Sequence, residues 1–399
     1  MLTLEMIQEA RAALDGVARV TPLNEAKNLG KNVYIKSENL QKTGAFKLRG
    51  AYNKIRSLSE EERAHGVIAC SAGNHAQGIA LSATMLGIKS VICMPAGAPL
   101  SKVEATKRLG AEVCLVPGAY DDAYAKACEL QEQTGATLVH PFDDDMVIAG
   151  QGTIGLEILD QLKDVDAVIV PIGGGGLISG VAFAIKSLRP DVKVYGVQAA
   201  GAPSMANSFH EHELQALPAV STFADGIAVK RPGDTTFAMV EQYVDEIVTV
   251  NEDEIAAAIL ALIEKQKLIA EGAGAVSVAA AMFGKLPIQG KKAVCLVSGG
   301  NIDVNILNRV ITRGLVMGGR NSNLMIALED KPGQLETVSR IISECGANVV
   351  SVYHDRADTS MTITSCFLKL GLETRDHAHI AAVRKALSDA GFTLVTERA

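Results

Sequence analysis

A chain of 399 residues exceeds one ordinary domain, so two or three units, each able to bury a core, are expected. Hydrophobic residues make up 48% and glycines number 37, which suits a Val/Ile/Ala/Gly-rich parallel sheet; aromatics at 4%, with no tryptophan, leave few platforms for stacking nucleic-acid bases. A formal net charge of −7 without a dense Lys/Arg run argues against nucleic acid and for small-molecule partners.

The chain opens with MLTLEMIQEARAALDG, which carries Glu5 and Glu9 on an amphipathic helical period and reads as neither a secretory signal nor a transit peptide. No apolar run approaches membrane-spanning length, so no membrane is expected. The seven cysteines show no C-x-x-C spacing, and most read as buried small hydrophobes in a reducing cytoplasm. KTGAFKLRGA (42–51) follows, with Lys47 between Phe46 and Leu48. An amine held among apolar neighbours loses its proton more readily and can attack a carbonyl.

From residue 66 onward, short apolar runs alternate with helical patterns. GVIACS, SVICMP, AEVCLVP and ATLVHPF read as strands; HAQGIALSATMLG, LSKVEATKRLG, DDAYAKACELQEQTG and VIAGQGTIGLEILDQL read as the helices between them. A second series starts at DAVIVPIGGGGLISGVAFAIKSL, continues through VKVYGVQ and ends at KAVCLVSGG. This rhythm predicts right-handed βαβ units and an α/β fold with mostly parallel sheets. EIAAAILALIEKQK is too short for a coiled coil and reads as a packed helix. After VMGGRNSN the order becomes β, α, β, β, α, β: LMIALED, KPGQLETVSRIISECG, ANVVSVYHDRA, MTITSCFLKL, DHAHIAAVRKALSDAG and FTLVT. That order predicts a ferredoxin-like unit over 324–399, with the boundary in the Gly/Asn/Ser-rich link at 318–323.

Three loops stand where ligands bind, beyond the carboxyl ends of strands: SAGNH (71–75), GGGGL (173–177) and SGGN (298–301). Four successive glycines between a strand and a helix let backbone N–H groups converge on a phosphate. A dinucleotide site would want G-x-G-x-x-G and an acid at the end of the next strand, where Gln198 stands, and no G-x-x-x-x-G-K-[ST] is present. A glycine loop, a sheltered lysine and no nucleotide fingerprint point to pyridoxal 5′-phosphate. The loop Ser71, Ala72, Gly73, Asn74, His75 opens a helix and is a candidate for the substrate carboxylate. HPFDDD (140–145) reads as a loop with helix-capping aspartates rather than a divalent site, His75 as a residue that orders its loop, and Cys70 as a buried strand-end thiol.

SENLQKTGAFKLRGA, SAGNHAQG, GGGGL, EGAGA and SGGN together resemble the motif set of the fold type II (tryptophan synthase β-like) pyridoxal-phosphate enzymes, in particular the threonine dehydratases, or threonine ammonia-lyases. The resemblance covers roughly 1–320 and implies a two-lobed catalytic domain whose smaller lobe spans about 42–145. EDKPGQL and its surroundings resemble an ACT domain, which implies a small effector bound at 324–399. Position by position, the resemblance makes Lys47 the Schiff-base lysine, lays Phe46 against the cofactor ring and gives Asn74 to the ring hydroxyl. It gives Gly173, Gly174, Gly175, Gly176 and Leu177 to the phosphate, Ser298 to the pyridine nitrogen, and makes Glu271 an active-site glutamate. A serine there cannot keep the pyridinium charged, so elimination should beat transamination. Related serine racemases carry a second serine where Ala72 stands and an acidic metal ligand where Gln198 stands, so racemisation is the weaker reading and no metal is carried over. The resemblance implies deamination of L-threonine, and of L-serine, by a cytoplasmic homodimer or homotetramer. A serine racemase or serine dehydratase, a β-replacing synthase, a nicotinamide-linked oxidoreductase and a non-enzymatic amino-acid sensor are the alternatives.

Overall fold

Short apolar runs such as VIAC, AVIVP and AVCLV form buried strands, and in a computed structural model of the chain the strands assemble into three sheets. The structure describes residues 1–357 and 362–395. They fall into two units, Met1–Asp303 and Val304–Ala399.

The first unit runs through α1 (Leu4–Ala13), β1 (Leu23–Glu25), β2 (Val33–Ser37), α2 (Lys47–Arg56), α3 (Glu60–His65), β3 (Val67–Cys70), α4 (Asn74–Met85), β4 (Ser90–Pro95), α5 (Leu100–Arg108), β5 (Glu112–Val116), α6 (Tyr120–Thr134) and β6 (Thr137–Leu138). It continues with α7 (Asp145–Gln161), β7 (Ala167–Pro171), α8 (Gly176–Leu188), β8 (Lys193–Ala199), α9 (Ser204–Glu211), α10 (Asp234–Tyr243), β9 (Glu246–Val250), α11 (Glu252–Ala261), α12 (Gly272–Met282) and β10 (Ala293–Val297). The larger sheet has the order β1-β2-β10-β7-β8-β9, parallel except for β1. The smaller is β5-β4-β3-β6, parallel throughout. The chain therefore leaves the larger sheet after β2, builds a smaller lobe around β3 to β6, and returns through α7. Helices cover both faces, so β7 and β10 are buried at every position and read as unbroken apolar runs.

Two sequence readings are corrected here. ATLVHPF was expected to be a full strand, but only Thr137–Leu138 pair with β3. Pro141 lacks a ladder donor, and the His140 ring accepts the Asp143 N–H at 2.8 Å, turning the chain out of the sheet. The strand β2 was not foreseen, because VYIKS carries Lys36 and Ser37, both fully buried. Lys36 is tolerated there because its amine meets the Glu157 carboxylate at 2.5 Å and Gln161 Oε1 at 2.9 Å. The run read from EIAAAILALIEKQK is helical, as α11 followed by a wider turn over Leu262–Gln266.

The second unit comprises α13 (Val304–Met317), β11 (Asn321–Glu329), α14 (Gln334–Glu344), β12 (Asn348–Asp355), β13 (Ser365–Glu373), α15 (His377–Asp389) and β14 (Thr393–Val395). From β11 onward this is the expected βαββαβ order, in an antiparallel sheet β12-β13-β11-β14. Alternate residues Leu324, Ile326 and Leu328 of β11 are buried with Val338 and Ile342 of α14 and Val383 of α15. Asn321 to Asn323, read from sequence as link, begin β11. Of the strands read as MTITSCFLKL and FTLVT, Met361 and Thr396 lie outside the described residues, and Thr362 to Ser365 form a turn in which the Ser365 N–H donates to the Thr362 carbonyl at 3.0 Å.

Candidate active site

Lys47 opens α2, and several independent ties hold that helix start. The Phe46 N–H donates to the Ser298 carbonyl at 3.1 Å, just past β10, and the Gly50 N–H donates to Gln151 Oε1 of α7 at 3.2 Å. One turn inside, the Arg49 guanidinium is buried between the carboxylates of Glu38 (2.8 Å) and Glu157 (2.6 Å). So fixed, Lys47 donates its amine to the Pro141 carbonyl at 2.7 Å. Burial pushes its pKa down to about 8, against the upward pull of the Glu271 charge. The apolar neighbours in the sequence thus correspond to an amine with a usable neutral fraction near neutral pH.

The amine faces a cavity of about 770 Å³ between the carboxyl ends of the two parallel sheets. The residues given a site role from sequence line it: Phe46 and Lys47, the loop 71–75, the loop 173–177, Glu271 and Ser298; of the SGGN loop only Ser298 does so. The structure thereby brings together Lys47 and Ser298, 251 residues apart in the chain.

The glycine loop ends as the N-terminus of α8. Gly175 is its cap, at φ +102°, a left-handed conformation that disfavours any side chain. A Cβ on Gly174 would collide with the Phe142 ring, and one on Gly176 would meet the Phe142 carbonyl at 2.7 Å. Thr236 at the start of α10 steadies the loop from outside, donating its hydroxyl to the Gly174 carbonyl at 2.6 Å. First-turn N–H groups of a helix have no intrahelical acceptor, so this stretch of cavity wall suits a phosphate.

Opposite lies the loop after β3. Ser71 Oγ accepts the Gly73 N–H at 3.1 Å, shaping the turn into α4. His75 is buried with Nε2 2.9 Å from the Val139 carbonyl; burial and the nearby Lys47 charge push its pKa down to about 3, so it stands neutral and orders the loop. Asn74 donates its amide to Glu271 Oε1 at 2.6 Å. Burial, then the charge of Asp225, push the Glu271 carboxyl up to about 7, while the Asn74 donor pulls it down. Ser298 is buried, its hydroxyl 3.5 Å from the Ala273 carbonyl.

Several cavity residues escaped the sequence reading. In the sequence Pro141 and Phe142 read only as the end of a strand running into an aspartate-rich loop, and Lys102, which reads there as part of a helix, pairs with Asp225 at 2.6 Å. Of HPFDDD, Asp144 caps α7 by accepting the Met146 N–H at 2.9 Å, and Asp143 accepts the Thr236 N–H at 3.1 Å at the start of α10. Among the described residues no group of three or more His, Cys, Asp or Glu side chains is placed to hold a metal, and no helix is long and apolar enough to cross a membrane. Burial pushes the Cys70 thiol up to about 11, away from nucleophilic use. Gln198 is buried in a structural role, accepting the Ala206 N–H at 2.8 Å.

An amine of lowered basicity, an anion cradle and an uncharged hydroxyl in one cavity form a donor set that fits pyridoxal phosphate: a carbonyl for the amine, a phosphate for the glycine loop and a ring nitrogen for Ser298. Comparison with known proteins agrees. A family model described as "Pyridoxal-phosphate dependent enzyme" matches residues 14–299. An L-threonine ammonia-lyase from Thermotoga maritima is 52% identical over 396 residues, covering 98% of this chain and 98% of its own. Among solved structures, the processed form of threonine deaminase isoform 2 from Solanum lycopersicum superposes with a TM-score of 0.74 at 42% identity, covering 79% of this chain and 88% of that one. Maize serine racemase gives a TM-score of 0.74 at 35% identity over 79% of this chain and 98% of its own.

Proposed function

The chain belongs to the pyridoxal-phosphate dependent enzymes, and from that premise we propose that it converts L-threonine to 2-oxobutanoate and ammonia, and L-serine to pyruvate and ammonia. The observation that carries this reading is the partly neutral Lys47 amine, set in one cavity with the glycine cradle and Ser298, in a chain so similar end to end to an L-threonine ammonia-lyase.

When bound, pyridoxal phosphate supplies an electron sink that acidifies the Cα–H of an amino acid joined to it. The residues of the chain do the rest. Gly173 to Leu177 would hold its phosphate, Phe46 would lie against its ring, and Ser298, as an uncharged partner for the ring nitrogen, would limit the depth of the sink. Limiting it keeps charge near the substrate Cα, which favours loss of the β-hydroxyl. Lys47 would hold the group through its amine, and that amine, when free, would take the Cα proton. The loop Ser71 to His75 receives the substrate carboxylate at the start of α4. Glu271, with its pKa near 7, holds or gives up a proton while its Oε1 accepts the Asn74 amide. Loss of water followed by hydrolysis balances threonine against 2-oxobutanoate and ammonia. Racemisation would need a second proton carrier on the opposite face, and at the position where related racemases carry a serine this loop has Ala72.

The second unit is assigned, on the same terms, to binding a small effector as an ACT domain. Its edge strand β12 leaves Val350, Val352 and Tyr353 exposed, which supports pairing with another copy in a homodimer or homotetramer. The enzyme is placed in the cytoplasm. The test of the activity is release of 2-oxo acid from L-threonine and L-serine by wild type and Lys47→Ala side by side. Rapid release by the wild type and none by the variant is expected; a variant as fast as wild type refutes the scheme. Sedimentation showing a monomer, with and without branched-chain amino acids or nucleotides, would remove the oligomer.

A further inference from the structure

Asn301 closes the SGGN motif, and the scheme above gives it no task. Its Nδ2 lies 2.8 Å from the Thr43 carbonyl and 2.7 Å from Asn74 Oδ1. A main-chain carbonyl can only accept, so Thr43 fixes which way the Asn301 amide points: the reversed amide would set oxygen against oxygen. The same nitrogen's second N–H then meets Asn74 Oδ1. That leaves Asn74 one group to present to Glu271, its Nδ2, and this is the atom found 2.6 Å from Glu271 Oε1. Orientation thus passes from a backbone carbonyl through two amides to a carboxylate. Space for the first amide comes from Gly44, which sits at φ +73° and where a Cβ would collide with Asn301 Oδ1. The Gly300 N–H donates to the Gly44 carbonyl at 2.9 Å, so the KTG and SGGN segments are folded against each other around this side chain.

We propose that Asn301 is a positioning residue that locks the Asn74 amide with its NH₂ toward Glu271 and the cavity, and thereby sets the protonation state in which Glu271 works. Its use in deamination rests on the function proposed above; its geometry does not. With Asn301 unable to donate, the Asn74 amide is free to turn and offer Oδ1 to the carboxyl, which then keeps its proton in order to donate it. The charged groups facing Glu271 are Lys47 on α2, Lys102 on α5 and Asp225 in the short turn Asp225–Ile227, and the backbone N–H of Asn301 also bonds to it. None of these is altered by a side-chain change at 301.

The test is Asn301→Leu, similar in size, unable to donate, with the backbone N–H kept. The Glu271 carboxyl is titrated by infrared difference spectroscopy, assigned by its loss in Glu271→Gln, in the loaded protein and again in the full chain stripped of cofactor. Expected is a carboxyl that binds its proton roughly tenfold more tightly than in wild type, a change that disappears when the same substitution is made in Asn74→Ala. An unaltered titration, or a change of equal size with and without Asn74, overturns the proposal. Asn301→Ala, which removes the amide without adding bulk, gives the same reading should the leucine variant not fold. If wild type releases no 2-oxo acid while the titration cycle behaves as expected, the activity falls and the positioning role stands.

Discussion

A lysine whose amine is buried on one side and meets a carbonyl on the other works at a different pH from a surface lysine. With its pKa down to about 8 rather than the usual 10.5, the Lys47 amine is protonated below about 8 and neutral above it. Only the neutral amine attacks a carbonyl. Attachment of pyridoxal phosphate to the stripped chain, followed by absorbance, should therefore slow about tenfold for each pH unit below 8 and level off above it. A rate still climbing steeply up to pH 10 would show that the cavity does not hold the amine as described. Ser298 makes a second residue-scale case. Ser298→Asp would place an acid where the neutral hydroxyl lies buried, deepen the electron sink and raise the share of amino acid transaminated relative to that dehydrated. Product ratios measured on L-threonine decide it; an unchanged ratio would separate Ser298 from the ring nitrogen.

At the scale of elements, the placement of Lys47 depends on α2, and α2 depends on a cluster of charges out of reach of water. Arg49 gives hydrogen bonds to Glu38, Glu157, Thr153 and the Arg19 carbonyl, while Lys36 shares Glu157. Removing one partner strands the others, so Arg49→Ala should cost about 3–5 kcal/mol of stability, read as a fall in the urea midpoint. Loss of under about 1 kcal/mol would mean that water reaches the cluster. The same cluster explains what sequence could and could not disclose. Apolar runs such as AVIVP and AVCLV declare buried parallel strands, and the glycine loop and KTGAFK declare chemistry through residue types that cost stability elsewhere. The strand VYIKS and the helix KLRGAYNKIR carry charges that look solvated, and only the three-dimensional pairing of Lys36 and Arg49 reveals them as core. Phe142 gave no signal, and Asn301 only its place at the end of SGGN, for a related reason: each acts on a segment far off in the chain, Gly174 in one case and Asn74 in the other.

At the scale of the first unit, the cavity lies between two lobes that the chain joins at one side, and its mouth is crossed by charges of alternating sense. Lys102 of the smaller lobe meets Asp225 of the larger at 2.6 Å, and Asp121 of the smaller meets Lys230 of the larger at 3.5 Å. These side chains are largely exposed apart from Lys102, so each pair adds little to stability. Their position gives them leverage on the site instead. Asp225 is the second cause, after burial, of the raised Glu271 pKa. Asp225→Asn removes a negative charge beside that carboxyl and releases Lys102, whose positive charge already favours the ionised form. Both changes act in one direction: Glu271 should ionise below its present value of about 7, and the proton it holds near neutral pH should be lost. The pH profile of kcat for L-threonine should shift its Glu271-dependent limb downward, while the thermal midpoint stays within the range of a surface substitution. A limb that stays in place would show that Asp225 is screened from the carboxyl by solvent and that the two lobes meet there without consequence for the chemistry inside; a limb that moves upward would show that the charge of Asp225 is not what raises the Glu271 pKa.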